Sequence, residues 1–145
     1  MKSRRKSREL ALQALYSKEI TGETLTKIFC DIREANEEAD EGVFTFMERL
    51  ATTVSEKEKE LDDIIVKQCK NWELDRVAIL DKNILRLGIA EILYFEDIPP
   101  KVSIDEAIEL AKTFSTEKSG IFINGILDPI AFREKNSSRS IHEQG

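Results

Sequence analysis

From Ile84 to Phe95 the apolar residues do not keep to one side. Ile84, Leu85, Leu87, Ile89, Ile92 and Leu93 fall all round a helix drawn at about 100° per residue. Such a helix cannot face water on any flank, so other elements must wrap it. The rest of the chain offers the wrapping. Val43, Phe46, Met47, Leu50, Ala51 and Val54 recur at i, i+3, i+4 and i+7. Leu10, Ala11, Ala14 and Leu15 form a stripe on a first helix spanning Ser3 to Ile20, closed by Gly22 as its C-cap. Leu25, Ile28, Phe29 and Ile32 mark a second helix from Thr24 to Ala35, and Leu61, Ile64, Ile65 and Cys69 continue the helical pattern later. With 3 prolines and 6 glycines in 145 residues, breakers are too scarce for a many-turned sandwich. The expected fold class is all-α, a single compact helical bundle of six or seven helices around residues 75–96.

The boundaries follow from local chemistry. Glu34, Glu37, Glu38, Asp40 and Glu41 read as a solvated loop. Ser55 followed by Glu58 has the form of a capping box, so a fresh helix start is expected there. The central helix should begin near Asp75 and end before Pro99-Pro100. Ser103 and Glu106 form a second capping box, opening a helix that turns Ala107, Ile108, Ala111 and Phe114 inward. A last helix from Ser119 carries Phe122, Ile123, Ile126, Leu127 and Ile130. Pro129 inside it should kink it or end it early. The divisions expected are a basic arm (1–8), a helical domain (9–133) and a disordered polar tail (134–145) holding the only histidine, His142.

Catalytic apparatus is hard to find. A Ser-His or Cys-His pair needs a base, and His142 sits in the tail. The acidic run lacks the EF-hand spacing, and neither a P-loop nor GxGxxG occurs. Cys30 and Cys69 have no metal spacing and read as reduced, mostly buried thiols. The basic start leads into an amphipathic stretch and not an apolar signal region, and no apolar run approaches a membrane span. A cytoplasmic protein without enzyme activity and without a cofactor is expected.

The charge is distributed unevenly. The whole chain carries −6, yet Lys2, Arg4, Arg5, Lys6 and Arg8 give residues 1–8 a charge of +5 with no acid, leaving −11 on the rest. Cations at a helix start oppose the helix dipole, each by about 0.3–1 kcal/mol at low salt. Stability alone would favour acids there, so a bound polyanion would explain the pattern. Leu12 and Tyr16 project within roughly 20° of Arg5, which would put a stacking ring beside a phosphate-binding charge. A solubilising basic tail explains the same residues, with Tyr16 merely flanking the core. The residues alone leave both readings open.

Longer motifs carry a family resemblance. Arg8-Glu9-Leu10-Ala11-Leu12-Gln13-Ala14-Leu15-Tyr16 resembles the opening helix of the NusB family, and Ile84-Leu85-Arg86-Leu87-Gly88-Ile89-Ala90-Glu91 resembles its centre. Most specific is the run from Ile98-Pro99-Pro100-Lys101-Val102-Ser103 through Lys112, followed by Ser119-Gly120-Ile121-Phe122-Ile123-Asn124-Gly125-Ile126-Leu127-Asp128. The resemblance covers residue 4 to about 133. It implies two small helical subdomains and a factor in transcription antitermination. That factor would bind boxA RNA of ribosomal RNA operons together with NusE, a small-subunit ribosomal protein, in a complex with RNA polymerase. Carried over by position, Arg4, Arg5, Lys6, Arg8 and Tyr16 would contact RNA, with Lys118, Ser119 and Phe122 close by, and Asp81 would face NusE. The resemblance also admits a homodimer. Many relatives carry an acid where Lys118 stands. Gly125 reads as a site of close helix packing. Two other readings remain: a helical protein-interaction scaffold without RNA contact, and a module related to those on ribosomal RNA cytosine methyltransferases.

Overall fold

The computed structural model describes the backbone of residues 2–69 and 77–144 and the side chains of 3–69 and 77–134. Seven helices occur in these residues, and no strand: α1 (Lys2–Thr21), α2 (Leu25–Ala35), α3 (Glu41–Glu56), α4 (Glu58–Gln68), α5 (Ile79–Tyr94), α6 (Pro100–Phe114) and α7 (Glu117–Gln144). They fall into two compact units, residues 1–58 and 59–145. The expected start of the central helix near Asp75, and the side chain of His142, lie outside the described residues.

In the first unit α1 packs on α2 and α3, and α2 packs on α3. Gly22 ends α1 as expected, at φ +75° with its N–H on the Lys18 carbonyl at 2.9 Å. Thr24 caps α2 through its side chain, which accepts from the Lys27 N–H. The periodic face of α3 is buried from Val43 through Val54. Ser7, itself fully buried, ties α1 to α3 by donating to the Val43 carbonyl at 2.7 Å. On the outer side Arg33 of α2 joins Glu41 in a two-pronged ion pair, also pairs with Glu48, and lies 4.8 Å from the centre of the Phe44 ring. The same hydrogen bonds hold the Glu41 carboxyl below its ordinary range.

In the second unit α5 packs on α6 and α7, which also pack on each other. Every residue from Asn83 to Ile92 is buried, as an all-round apolar helix requires. Two buried charges interrupt it, and both are paired. Arg86 forks onto Asp62 of α4 at 2.7 and 2.8 Å, and Glu91 accepts from Ser103 at 3.0 Å. Gly88 is where a helix needs room: a Cβ there would stand 2.8 Å from Leu127 Cδ1.

Several local expectations are corrected. The break and fresh helix start expected between Ser55 and Glu58 occur, at Lys57, but Ser55 itself lies inside α3 and is not the cap. Ser103 is not a cap either. Pro99 and Pro100 start α6 three residues earlier, because proline suits the first helical turn, and the Ser103 hydroxyl serves Glu91 instead. Pro129 does not stop α7, which runs on to Gln144 through the stretch expected as an unstructured tail. At Gly125 a Cβ would meet nothing within 4 Å, so no helix of the described residues packs closely against it. Cys30 is exposed and only Cys69 is buried. Among the described residues no helix is long and apolar enough to cross a membrane.

Candidate nucleic-acid interface

The interface residues fall in two groups, one in each unit. The first lies on α1. Its first turn has no acid, so the positive end of the helix is left unopposed by its own side chains. Arg4, Arg5 and Lys6 are exposed. Arg8 is not: it is 4% exposed, with its guanidinium 5.5 Å from the centre of the Phe46 ring. Arg4 lies over the same ring at 4.5 Å. A ring face attracts cations through its quadrupole, so Phe46 gathers two of the arm's charges at one place.

Beside the arm is a cleft of about 430 Å³, lined by Ser3, Arg4, Gly42, Thr45, Phe46 and Arg49, among others. It lies at the start of α3, whose N-cap Asp40 makes no side-chain capping bond. Asp40 also lines it, but Arg4, Arg49 and the helix N-terminus outnumber that one acid and leave a wall suited to a phosphate backbone. Sequence reasoning missed Arg49 and took Phe46 for plain core. The available signal was spacing, since Arg49 follows Phe46 by three residues and so shares its side of the helix.

Tyr16 is 40% exposed. The continuous stripe expected from Arg5 through Leu12 to Tyr16 is not there, because Leu12 is 2% exposed and belongs to the core. The charge and the ring are separate exposed points with buried leucine between them.

The second group lies at the start of α7. Lys118 is exposed and Phe122 half-buried. Ser119 is buried, and its hydroxyl donates to Asp81 Oδ2 at 2.9 Å. Asp81 belongs to the first turn of α5. The structure thus joins a residue expected at RNA to one expected at a protein partner. A larger groove of about 890 Å³, bordered by Pro99, Pro100, Pro129 and Phe132, includes none of the expected site residues. No group of three or more potential metal ligands occurs among the described residues.

The NusB family model matches residues 5–132. A transcription antitermination protein NusB from Chloroherpeton thalassium is 45% identical over 143 residues, covering 99% of this chain and 67% of that protein. Among solved structures, the NusB of T. maritima superposes with a TM-score of 0.81 at 40% identity, covering 88% of this chain and 89% of the other. A crystal structure of the antitermination factors NusB and NusE in complex with dsRNA matches with a TM-score of 0.83 at 28% identity, covering 92% and 98%.

Proposed function

We propose that this chain, which belongs to the NusB family, is an RNA-binding transcription antitermination factor. It binds boxA-type RNA of ribosomal RNA operons together with NusE and helps assemble the antitermination complex on RNA polymerase. It works in the cytoplasm, needs no cofactor and catalyses no reaction. The observation that carries the reading is the cationic, acid-free first turn of α1. Its Arg4, Arg5 and Lys6 are exposed on an otherwise acidic chain, and Arg4 lines the cleft with Arg49. A relative seen in complex with NusE and dsRNA supports the choice of ligand and partner.

Arg4, Arg5 and Lys6 meet phosphates, Tyr16 stacks on a base, and Arg8 holds the arm's geometry from beneath. On α7, Lys118 supplies a further phosphate contact and Phe122 meets the RNA, with Ser119 beside them. Asp81 marks the surface toward NusE.

Titrating boxA RNA with and without NusE, at two salt concentrations, tests this reading. Binding should weaken steeply with salt, because each neutralised phosphate releases counterions, and should tighten with NusE. Changing Arg4, Arg5 and Lys6 together to Ala should flatten the salt dependence. An unchanged affinity in that triple variant would remove the arm from the interface. Complete absence of RNA binding without NusE would favour a protein-interaction scaffold. A solution mass measured alongside shows whether pairing of two copies masks the arm.

A further inference from the structure

The hydroxyl of Ser119 is fully committed inside the protein. A carboxylate only accepts, so the 2.9 Å contact to Asp81 Oδ2 uses the single Ser119 proton. That leaves two lone pairs on Oγ, and two hydroxyls address them: Ser115 at 2.9 Å and Thr116 at 3.1 Å. Thr116 Oγ1 in turn accepts the Ser119 N–H at 3.0 Å. With one proton given and two accepted, the Ser119 hydroxyl has nothing left to offer RNA.

The cluster sits at a junction. Asp81 lies in the first turn of α5 and Ser119 in the first turn of α7. One carboxylate therefore serves two helix N-termini, each with a partial positive charge that favours an anion. Ser115 and Thr116 form the link between α6 and α7, so the same knot fixes the direction in which α7 leaves that link. Asp81 Oδ1 is buried and accepts no hydrogen bond from the described residues, so the bond to Ser119 runs through Oδ2. Lys118 precedes Ser119 by one residue, and Phe122 follows it by three. Both are set by the turn that Ser119 anchors.

We propose that Asp81 and Ser119 are positioning residues for RNA binding: their hydrogen bond fixes the first turn of α7 and so aims Lys118 and Phe122 at the nucleic acid. This rests on the reading above that Lys118 and Phe122 meet RNA. Ser119 then acts without touching the ligand, and Asp81 influences RNA affinity even when no protein partner is present.

The experiment is a set of mutant cycles on the full chain, titrated with boxA RNA alone at several salt concentrations, well below the melting temperature. Lys118→Ala should weaken binding and reduce the salt slope by about 0.7–0.9, the loss of one phosphate contact. Ser119→Ala and Asp81→Ala should each weaken binding roughly 5-fold, and the pair together no more than either alone, because they break the same bond. In a Lys118→Ala, Phe122→Ala background, Ser119→Ala should have no further effect. A purely structural role would instead add its penalty in every background. If Ser119→Ala does not fold, Ser115→Ala gives the milder loosening, with the same expected pattern. The proposal is overturned if the Ser119 and Asp81 effects multiply, or if both variants bind like the parent while Lys118→Ala does not. If Lys118→Ala and Phe122→Ala leave affinity intact, α7 is not an RNA face, and the reading it rests on fails first.

Discussion

The guanidinium of Arg8 lies 5.5 Å from the centre of the Phe46 ring, on a residue only 4% exposed. An arginine counted in the sequence as one more basic-arm charge is thus part of the packing between α1 and α3. The arm divides into residues that hold it and residues that present charge.

Arg8→Ala should destabilise the protein by about 1–3 kcal/mol, because it removes a buried stem as well as a cation held against a ring. Arg5→Ala, at an exposed position, should stay within about 0.5 kcal/mol. Urea unfolding of the two variants checks the difference, and RNA titration should rank them by a different rule. Arg5→Ala should weaken binding without loss of stability.

Gly88 and Gly125 should respond to alanine with opposite signs. At Gly88 the new methyl would meet Leu127 Cδ1 at 2.8 Å and Cδ2 at 3.2 Å, and Leu127 is fully buried. Overpacking of about 1–3 kcal/mol outweighs the ~1 kcal/mol gained from helix propensity, so the variant should be less stable. At Gly125 the methyl meets nothing, and Gly125→Ala should stabilise by about 0.4–1 kcal/mol. Thermal melts of both variants decide the matter. A destabilised Gly125→Ala would contradict the open surface over that residue.

The two thiols should separate cleanly. Cys30 is exposed, whereas Cys69 is buried and burial raises its thiol above the ordinary range, which lowers the thiolate fraction. A maleimide reagent applied to the native protein should modify one site, and peptide mapping should place it at Cys30. Cys69 should react only after denaturant is added.

Tyr94 should make stability depend on alkaline pH. Burial, then the influence of the nearby Glu60 carboxylate, pushes the phenol up from 10.0 to about 12. The folded state therefore keeps the proton longer than the unfolded state. This contribution to stability is fully present below pH 10 and lost as pH rises through about 12. Unfolding free energies measured across that window should fall faster for the parent than for Tyr94→Phe. Parallel curves would show that Tyr94 titrates alike in both states.

Much of the architecture was legible because helix periodicity is a local property. The spacing of Val43, Phe46, Met47, Leu50 and Val54 determined α3, and the absence of any polar flank between Ile84 and Phe95 determined that α5 would be buried. The acid-free cationic start of α1 was likewise written in residues 1–8. Four-residue motifs were less informative. Ser55 and Ser103 both carry a capping-box partner, yet neither caps: Ser55 lies inside α3, and at Ser103 a proline start and a buried Glu91 offered stronger local solutions.

The sequence by itself determined the helices, the uneven charge and the candidate residues. Only the tertiary structure decided their roles. Phe46 took Arg8 out of the exposed arm, Arg49 joined Arg4 in lining a cleft, and Asp81 claimed the only proton of the Ser119 hydroxyl. Chain separation hides such pairings: Arg8 and Phe46 are far apart in sequence, and Asp81 and Ser119 equally so. Whether a charge faces water, a ring or a carboxylate depends on which helices pack together, and side-chain periodicity carries no record of that.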